Sequence, residues 1–514
     1  MQAATHPPAG RREWLGLAVL ALPTLLVSMD MTILYLATPS LSAALQPSAA
    51  ELLWISDIYG FLIAGALIPL GAVGDRIGRR RLLLIGSVFF GLASVLAAFS
   101  TSATMLIVAR AILGVAGATV LPSTLAMIRN LFHSPRERSI AIGIWTTCFT
   151  LGGVLGPLVG GLLLQHLWWG SVFLVAVPVM AALAVLGPIF LPEVREDDGH
   201  AVDVPSVAMS VTALLATAYG VKHLAETGVT MTAAAVFVLG GIVGWAFVRR
   251  QGRLAAPLVD LGLFRNGAFA AALGANMMAL FAWVGASLLI AQYLQLVVGM
   301  SPMTAGLWTI PPAIACVAGC LGAPVLAQRV PPAVIVTSAL LLVAAGFAVM
   351  TAFTAGFGLA AIISGMAVLG LGVAVIVTLG TDLILASAPA DKAGAASAIS
   401  ETGADLGGSF GVAVLGSVGV AVYRAAVAVP EGLSEDRAAA VRDTLGAAVD
   451  VASALPGPSG SILLESAQQA FERGLVLASG AGFCVLLSTA IFFAWTNLRR
   501  GALRPAVQSQ GGIR

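Results

Sequence analysis

A carboxylate inside a long apolar run is the first candidate for chemistry in this chain. Asp30 interrupts the run of residues 14–36, which supplies the roughly twenty apolar residues that a helix needs to cross a bilayer. An ionisable side chain at that depth costs about 2.5 to 3.5 kcal/mol on insertion scales, so it normally faces a bundle interior or a wet cavity. Asp30 is therefore predicted to bind protons or substrate. The alternative is an acid that only ties two helices together.

Two further charged residues, Asp57 and Arg110, lie inside apolar runs at a similar predicted depth. At 1.5 Å per helical residue, Asp30 lies roughly 24 Å from the inner end of its run, and the other two lie close to the outer ends of theirs. An arginine is the natural partner of an acid in this medium, and each would bias the protonation of the other. The three residues are predicted to form an exchanging site, with a static salt bridge as the alternative.

A second acidic pair, Glu401 and Asp405, is predicted on one face of the thirteenth span because helical residues four apart are neighbours. Near the middle of that span, two close acids resist ionising together, so one of them is expected to keep a proton. A bound organic cation could displace that proton. The alternative is that the pair lies in the first turns of the helix and is simply hydrated.

Aromatic side chains could bind a lipophilic cation through apolar area and cation–π contact. Each is also a good candidate for core or interfacial packing. The candidates are Trp54, Tyr59, Trp145, Phe281, Trp283 and Tyr293.

The elements that must position these residues follow from composition. Hydrophobic residues make up 59% of the chain, charged residues make up 10%, and the mean hydropathy is +0.98. These values exclude an ordinary soluble globule, where charged residues are nearer a quarter. The net charge of +2 comes without a basic block or aromatic platform, so no nucleic-acid partner is indicated. The four cysteines lack metal-ligand spacing.

Fourteen apolar segments of about twenty residues each are predicted to span the membrane. Both termini are placed in the cytoplasm, because that orientation puts twenty of the 26 lysines and arginines at the inner surface, with five in outer loops and Arg110 within a span. The segments begin near residues 14, 51, 82, 103, 139, 170, 205, 231, 269, 304, 332, 358, 395 and 474.

The chain is predicted to consist of two related six-helix halves, residues 1–192 and 266–514, with two inserted helices and their loops at 193–265. The second half includes an outer segment, 423–473, that is far longer than the other outer loops. Ser434 is a plausible N-cap for an Ala-rich helix that runs to about Ala454. This segment is predicted to be either a solvated hairpin or a substrate-capturing lid.

The loop between spans two and three carries the most specific pattern in the chain. Its arginines and Asp75 can form an ion pair that holds neighbouring helices in one conformation, and its glycines permit close approach and a tight turn. A basic cluster that only sets topology would need the arginines but not this spacing. The pattern resembles the signature loop of the major facilitator superfamily, at Gly71, Asp75, Arg76, Gly78, Arg79 and Arg80.

Three other stretches carry the same resemblance. Arg110 is similar to the fourth-helix arginine that couples to protons in that superfamily, and the stretch Asp30, Thr32, Ile33 resembles the first-helix motif of its fourteen-span drug:proton antiporters, such as the QacA-like and LfrA-like exporters. A glycine-rich stretch resembles the fifth-helix motif of the antiporter branches, and its proline could provide a hinge. Its residues are Gly152, Gly153, Gly156, Pro157, Gly160 and Gly161.

The resemblance implies an all-α polytopic major facilitator fold and a proton-coupled multidrug efflux transporter. It implies lipophilic, often cationic substrates, a bacterial plasma membrane location, a monomer, and no cofactor, since the proton gradient supplies the energy. A transporter of a metabolite such as a sugar or amino acid is the alternative. A membrane enzyme or receptor is disfavoured, because the sequence offers neither a soluble domain nor a nucleophile constellation.

Overall fold

A computed structural model describes residues 9–132, 134–193, 203–227, 230–254, 257–351, 358–387, 393–430, 433–455 and 458–499. Within these ranges the regular secondary structure is entirely helical, as predicted. The first ten α-helices are α1 (Arg11–Leu45), α2 (Ala49–Ile77), α3 (Arg79–Ala98), α4 (Ala103–Gly117), α5 (Val120–Leu131), α6 (Pro135–His166), α7 (Ser171–Leu174), α8 (Ala176–Phe190), α9 (Val204–Thr227) and α10 (Met231–Gln251).

The remaining helices include a short π-helical segment at Tyr293–Val297 and a 3₁₀ turn at Leu263–Arg265. The α-helices are α11 (Gly267–Gln292), α12 (Pro302–Leu307), α13 (Ile310–Ala327), α14 (Pro332–Thr351), α15 (Gly358–Ser387), α16 (Ala393–Ala426), α17 (Glu435–Asp443), α18 (Leu445–Ala454) and α19 (Pro458–Arg499).

The described helices are compatible with fourteen spans, although their length and hydropathy alone do not establish that count. Twelve helices are long and apolar enough to cross a membrane, and a bent pair, Ile140–Gly153 and Leu155–His166, makes a thirteenth. The helix α9 lies at the predicted seventh span, and its stretch Val204–Gly220 is apolar. Every predicted start falls inside a helix or within one residue of its beginning.

The chain separates into two compact units. The first contains residues Met1–Leu258, Ser287–Thr309 and Val412–Gly474, and the second contains Val259–Ala286, Ile310–Gly411 and Leu475–Arg514. In the first unit, α1 makes its most extensive contact with α6, and α2 packs on α4. In the second unit, α15 packs against both α13 and α14. The predicted boundaries at residues 193 and 266 follow sequence repetition rather than contacts, so they stay a prediction.

The helices predicted as an insertion, α9 and α10, pack on each other, and α9 also packs on α2. Val211 of α9 lies against Gly65 of α2, where a Cβ would come within 2.9 Å of the valine side chain. Arg250 donates two 2.8 Å hydrogen bonds to Asp203, which hold the ends of the pair together and keep the pKa of that carboxyl near 2. This ion pair therefore loses its charge only as the pH falls through about 2.

The outer segment forms two packed helices instead of one Ala-rich helix. Ser434 precedes α17 as predicted, but Thr444 interrupts the helix and caps α18, with its side chain accepting a hydrogen bond from the Ala447 N–H. Asp443 accepts a hydrogen bond from the N–H of Ala49, the first residue of α2, at 3.0 Å, and it forms an ion pair with Arg424. This segment is thus anchored to the first unit and is not simply solvated.

Candidate functional site

A buried ion pair joins α1 to α4. Nη1 of Arg110 lies 2.6 Å from Oδ2 of Asp30, and the two side chains are only 1% and 6% exposed. Nε of the same arginine donates to the carbonyl of Ile55 in α2 at 3.3 Å. The structure therefore brings together the two residues that depth counting placed at one level, and it adds a backbone acceptor. Their role in proton exchange stays a prediction.

The ring of Tyr59 packs against the guanidinium of Arg110. The Arg110 Cζ atom lies 4.3 Å from the centroid of the Tyr59 ring, and this tyrosine is almost fully buried. α4 approaches α2 closely here because Gly114 has no side chain: a Cβ would lie 2.7 Å from the Tyr59 carbonyl oxygen. Tyr59 was a candidate drug contact; it lies in the interface of α2 and α4 with its ring against Arg110, and its role in drug contact stays a prediction.

Replacing this ring should destabilise the protein more than removing its hydroxyl does. A desolvated cation–π contact is worth about 2 kcal/mol, so Tyr59→Leu is expected to lower the thermal unfolding midpoint in detergent clearly below that of Tyr59→Phe. The phenylalanine variant keeps the ring face towards Arg110 and serves as the matched control. Equal midpoints for the two variants would show that the ring contributes no more than apolar bulk.

Asp57 and Tyr35 belong to the same buried cluster. Asp57 is 2% exposed and follows Ile55, whose carbonyl accepts from Arg110, by two residues, while Tyr35 is 9% exposed and follows Asp30 by five residues. Tyr35 was not identified from the sequence, although it is a polar aromatic residue in the same apolar run as Asp30. Two carboxylates and one guanidinium have a formal charge of −1 when all are ionised.

The glycine motif of α6 packs directly on the part of α1 that carries Asp30. A Cβ at Gly152 would overlap the carbonyl oxygen of Leu25, and one at Gly156 would overlap the hydroxyl of Thr32. Gly160 lies against Ile33 in the same way, one turn further along. The glycines of α6 therefore allow the backbones of α6 and α1 to pack closely both before and after Asp30.

Pro157 lies just beyond a bend in the same helix. The segments Ile140–Gly153 and Leu155–His166 meet at 41°. Proline has no N–H, so the carbonyl four residues earlier, at Gly153, loses its helical hydrogen bond. Gly161 packs on the backbone of Pro302 in α12, where a Cβ would come within 2.8 Å of the proline oxygen.

A second copy of this packing occurs in α16, and sequence analysis did not identify it. Gly407 and Gly411 meet the carbonyl oxygens of Met277 and Phe281 in α11 so closely that a Cβ at either glycine would overlap them. The signal was present in the sequence, because residues 406–411, LGGSFG, repeat the pattern of residues 151–156, LGGVLG. The predicted relationship between the two halves stays a prediction.

The acids of α16 lie in the first half of that helix. Glu401 is the ninth residue of α16, and it is exposed. Its predicted mid-depth position stays a prediction. Asp405 is half-buried, and its Oδ2 atom receives no hydrogen bond from the described residues.

The signature loop turns at Gly78, whose φ of +110° is a conformation that glycine adopts readily. Glu193, after α8, accepts a hydrogen bond from the Arg80 N–H at 3.2 Å and lies 3.5 Å from its Nε. The predicted ion pair used Asp75, whose side chain lies outside the described residues. Glu193 was not identified because it is more than one hundred positions away in the sequence.

The other residues of the signature loop lie at the end of α2 and the start of α3. Arg79 lies along the glycine face of α2, near Gly71 and Gly74, and Arg76 is exposed.

The remaining aromatic candidates contact neighbouring helices. Trp145 donates a 3.0 Å hydrogen bond to Thr124, and the ring of Trp54 lies 6.5 Å from that of Tyr219. In the second unit, Trp283 packs at Gly370. The last two candidates, Phe281 and Tyr293, are also buried. A role for these side chains in drug contact stays a prediction. Within the described ranges, no group of three or more His, Cys, Asp or Glu side chains could hold a metal ion.

Comparisons with known proteins agree with the motifs. A family model described as Major Facilitator Superfamily matches residues 20–412. The chain is 45% identical over 481 residues to the multidrug efflux pump LfrA of Mycolicibacterium smegmatis, covering 93% of this chain and 95% of that protein. It is 35% identical to the methyl viologen resistance protein SmvA of Salmonella typhimurium, covering 95% and 99%. It is 30% identical to a tetracenomycin C resistance and export protein of Streptomyces glaucescens, covering 95% and 93%.

A solved structure has the same fold. It belongs to a bacterial homologue of the human lysosomal transporter Spinster, in an inward-facing and unoccupied conformation, with a TM-score of 0.69 and 16% identity over 97% of this chain and 100% of that one. At this identity the similarity concerns the fold alone. The predicted all-α major facilitator fold is thereby confirmed, and the family match over residues 20–412 sets the enzyme alternative aside.

Proposed function

This chain belongs to the major facilitator superfamily, and from that premise we propose that it exports lipophilic, often cationic drugs or antiseptics in exchange for protons. Drug export is supported by relatives that cover almost the whole chain and are named for multidrug efflux or drug resistance. Proton coupling is supported by one observation above all, the buried cluster of Asp30, Asp57 and Arg110.

The cluster provides a physical basis for exchange. When Asp30 is ionised, its charge is balanced by Arg110 at 2.6 Å. A proton on Asp30 weakens that pair and leaves the guanidinium to the Tyr59 ring and the Ile55 carbonyl. Because α1 carries the acid and packs tightly on the bent helix α6, a change in this ion pair acts directly on a helix contact. Protonation is thereby linked to the rocking between inward- and outward-facing states.

The acids of α16 supply the second part of the proposal. Glu401 is exposed and Asp405 holds a covered oxygen without a donor among the described residues. A lipophilic cation is attracted to this pair when it is ionised, and a proton on either acid weakens that attraction. Drug and proton thus compete, as an exchanger requires. We further propose a monomer in the bacterial plasma membrane with both termini in the cytoplasm.

The experiment measures ethidium and proton movement together in proteoliposomes that contain the full chain. An imposed inward proton gradient should drive ethidium out of the space equivalent to the cytoplasm, and ethidium addition to the detergent-solubilised protein should release protons. Ethidium movement that ignores the gradient would contradict proton coupling. A hydrophilic sugar or amino acid that outcompetes ethidium would favour the metabolite transporter instead.

A further inference from the structure

An apolar groove on the surface of the first unit has no part in the proposed exchange. It lies between α2, α3 and α4 and has a volume of about 450 Å³. Small residues with low exposure, Gly86 and Ala116, line it together with bulky exposed side chains such as Ile85 and Phe89. α3 and the turn between α4 and α5 meet closely beneath it, because a Cβ at Gly86 would overlap Thr119. The groove is apolar and opens to the surroundings of the helices.

One end of the groove carries an exposed arginine. Arg81 directly precedes Leu82, which lines the groove, and it shares a helix face with Ile85 and Phe89 because the three residues are four apart. Its side chain is 62% exposed. Arg76, at the end of α2, is also exposed. The carboxylate of Glu193 lies 3.7 Å from the Arg81 Nε and is shared with Arg80, so the arginines outnumber the acid among the side chains that the structure describes here.

We propose that this groove binds an acyl chain of an anionic phospholipid, with the lipid phosphate at Arg81. The occupant must present a long apolar chain to the groove and a negative group to its basic end. A phospholipid of the surrounding bilayer has both, and arginines close to a membrane surface attract anionic lipids. A lipophilic cation would instead bring its positive charge beside the arginines. The groove therefore selects lipid over the cationic substrates of the exporter.

The experiment is native mass spectrometry of the full chain in mild detergent with equal amounts of phosphatidylglycerol and phosphatidylcholine. The wild type should retain phosphatidylglycerol about fivefold better, the effect expected of one arginine near an anionic surface. Arg81→Gln should remove that preference and leave phosphatidylcholine binding unchanged. Ala111→Phe, which fills the groove, should reduce the retention of both lipids.

Two matched variants control for loss of charge and for added bulk. Arg253→Gln removes an exposed arginine after α10, and Ala235→Phe adds a phenyl ring at an exposed position of α10. Both should bind lipid as the wild type does. Equal retention of the two lipids by the wild type, or wild-type preference in Arg81→Gln, would overturn the proposal. Displacement of the lipid by ethidium would also overturn the proposal and would indicate a drug-binding groove. Displacement by soluble glycerol phosphate would overturn it as well and would indicate a site for the headgroup alone.

Discussion

Asp30→Asn is expected to abolish proton-driven ethidium efflux while the protein still reaches the membrane. Asparagine keeps the size of the side chain and an oxygen for the Arg110 Nη1 atom, which lies 2.6 Å from the carboxylate. It cannot take up a proton, so the exchange loses one of its partners. Efflux in proteoliposomes with an imposed proton gradient should fall to the rate of empty liposomes. Asp436→Asn, at an exposed position of α17, is the matched control and should transport as the wild type does.

Thermal unfolding midpoints distinguish the loss of proton coupling in Asp30→Asn from the loss of its ion pair with Arg110. Breaking a buried pair by removing one partner costs about 3 to 5 kcal/mol because the other charge is left uncompensated. Arg110→Leu should therefore lower the unfolding midpoint more than the double variant Asp30→Asn with Arg110→Leu. Coupled efflux by Asp30→Asn at the wild-type rate would remove this acid from the mechanism. An unfolding midpoint of the double variant below that of Arg110→Leu would mean that Asp30 stabilises the fold without Arg110.

The pairing of Asp30 with Arg110 could be predicted because a charged residue in an apolar run must face the bundle interior or a wet cavity. Asp30 and Arg110 each needed a buried partner, and depth counting placed them at one level. The rest of the cluster depends on which faces the helices turn towards each other. Tyr59 lies under the guanidinium because Gly114 lets α4 approach α2. That rotation is a property of packed side chains and not of hydropathy, so the sequence could not place this ring under Arg110.

Contacts between segments that are far apart in the sequence could not be predicted either. The charges of the outer segment are mixed in sign, which is typical of a solvated surface, yet Asp443 is held by the first N–H of α2 and by Arg424. Local sequence also favoured a single helix there, and Thr444 divides it because its side chain can cap a new helix. In the signature loop, the acid that contacts Arg80 comes from Glu193, far along the chain. Local spacing contains no information about such partners.

Gly156→Ala should impair transport by about tenfold to a hundredfold, the second large effect expected of this site. The added methyl group would overlap the hydroxyl of Thr32 and come within 2.9 Å of the carbonyl oxygen of Met29, which is backbone and cannot rotate away. Overpacking of this kind costs about 1 to 3 kcal/mol. α6 must then move away from α1 beside Asp30. Gly143→Ala is the matched control, because it lies in the same helix and a Cβ there has no neighbour within 4 Å.

A second substitution tests whether the close contact itself causes the loss. Thr32→Ala removes the hydroxyl that the new methyl group would overlap, while the carbonyl of Met29 stays in place. The double variant Gly156→Ala with Thr32→Ala should therefore recover part of the lost ethidium efflux, whereas Thr32→Ala alone should transport almost normally. Wild-type efflux by Gly156→Ala would contradict the close contact of α1 with α6. Impaired efflux without any recovery in the double variant would assign the effect to the Met29 backbone. In either case, Gly143→Ala shows how much of the change any alanine in α6 would cause.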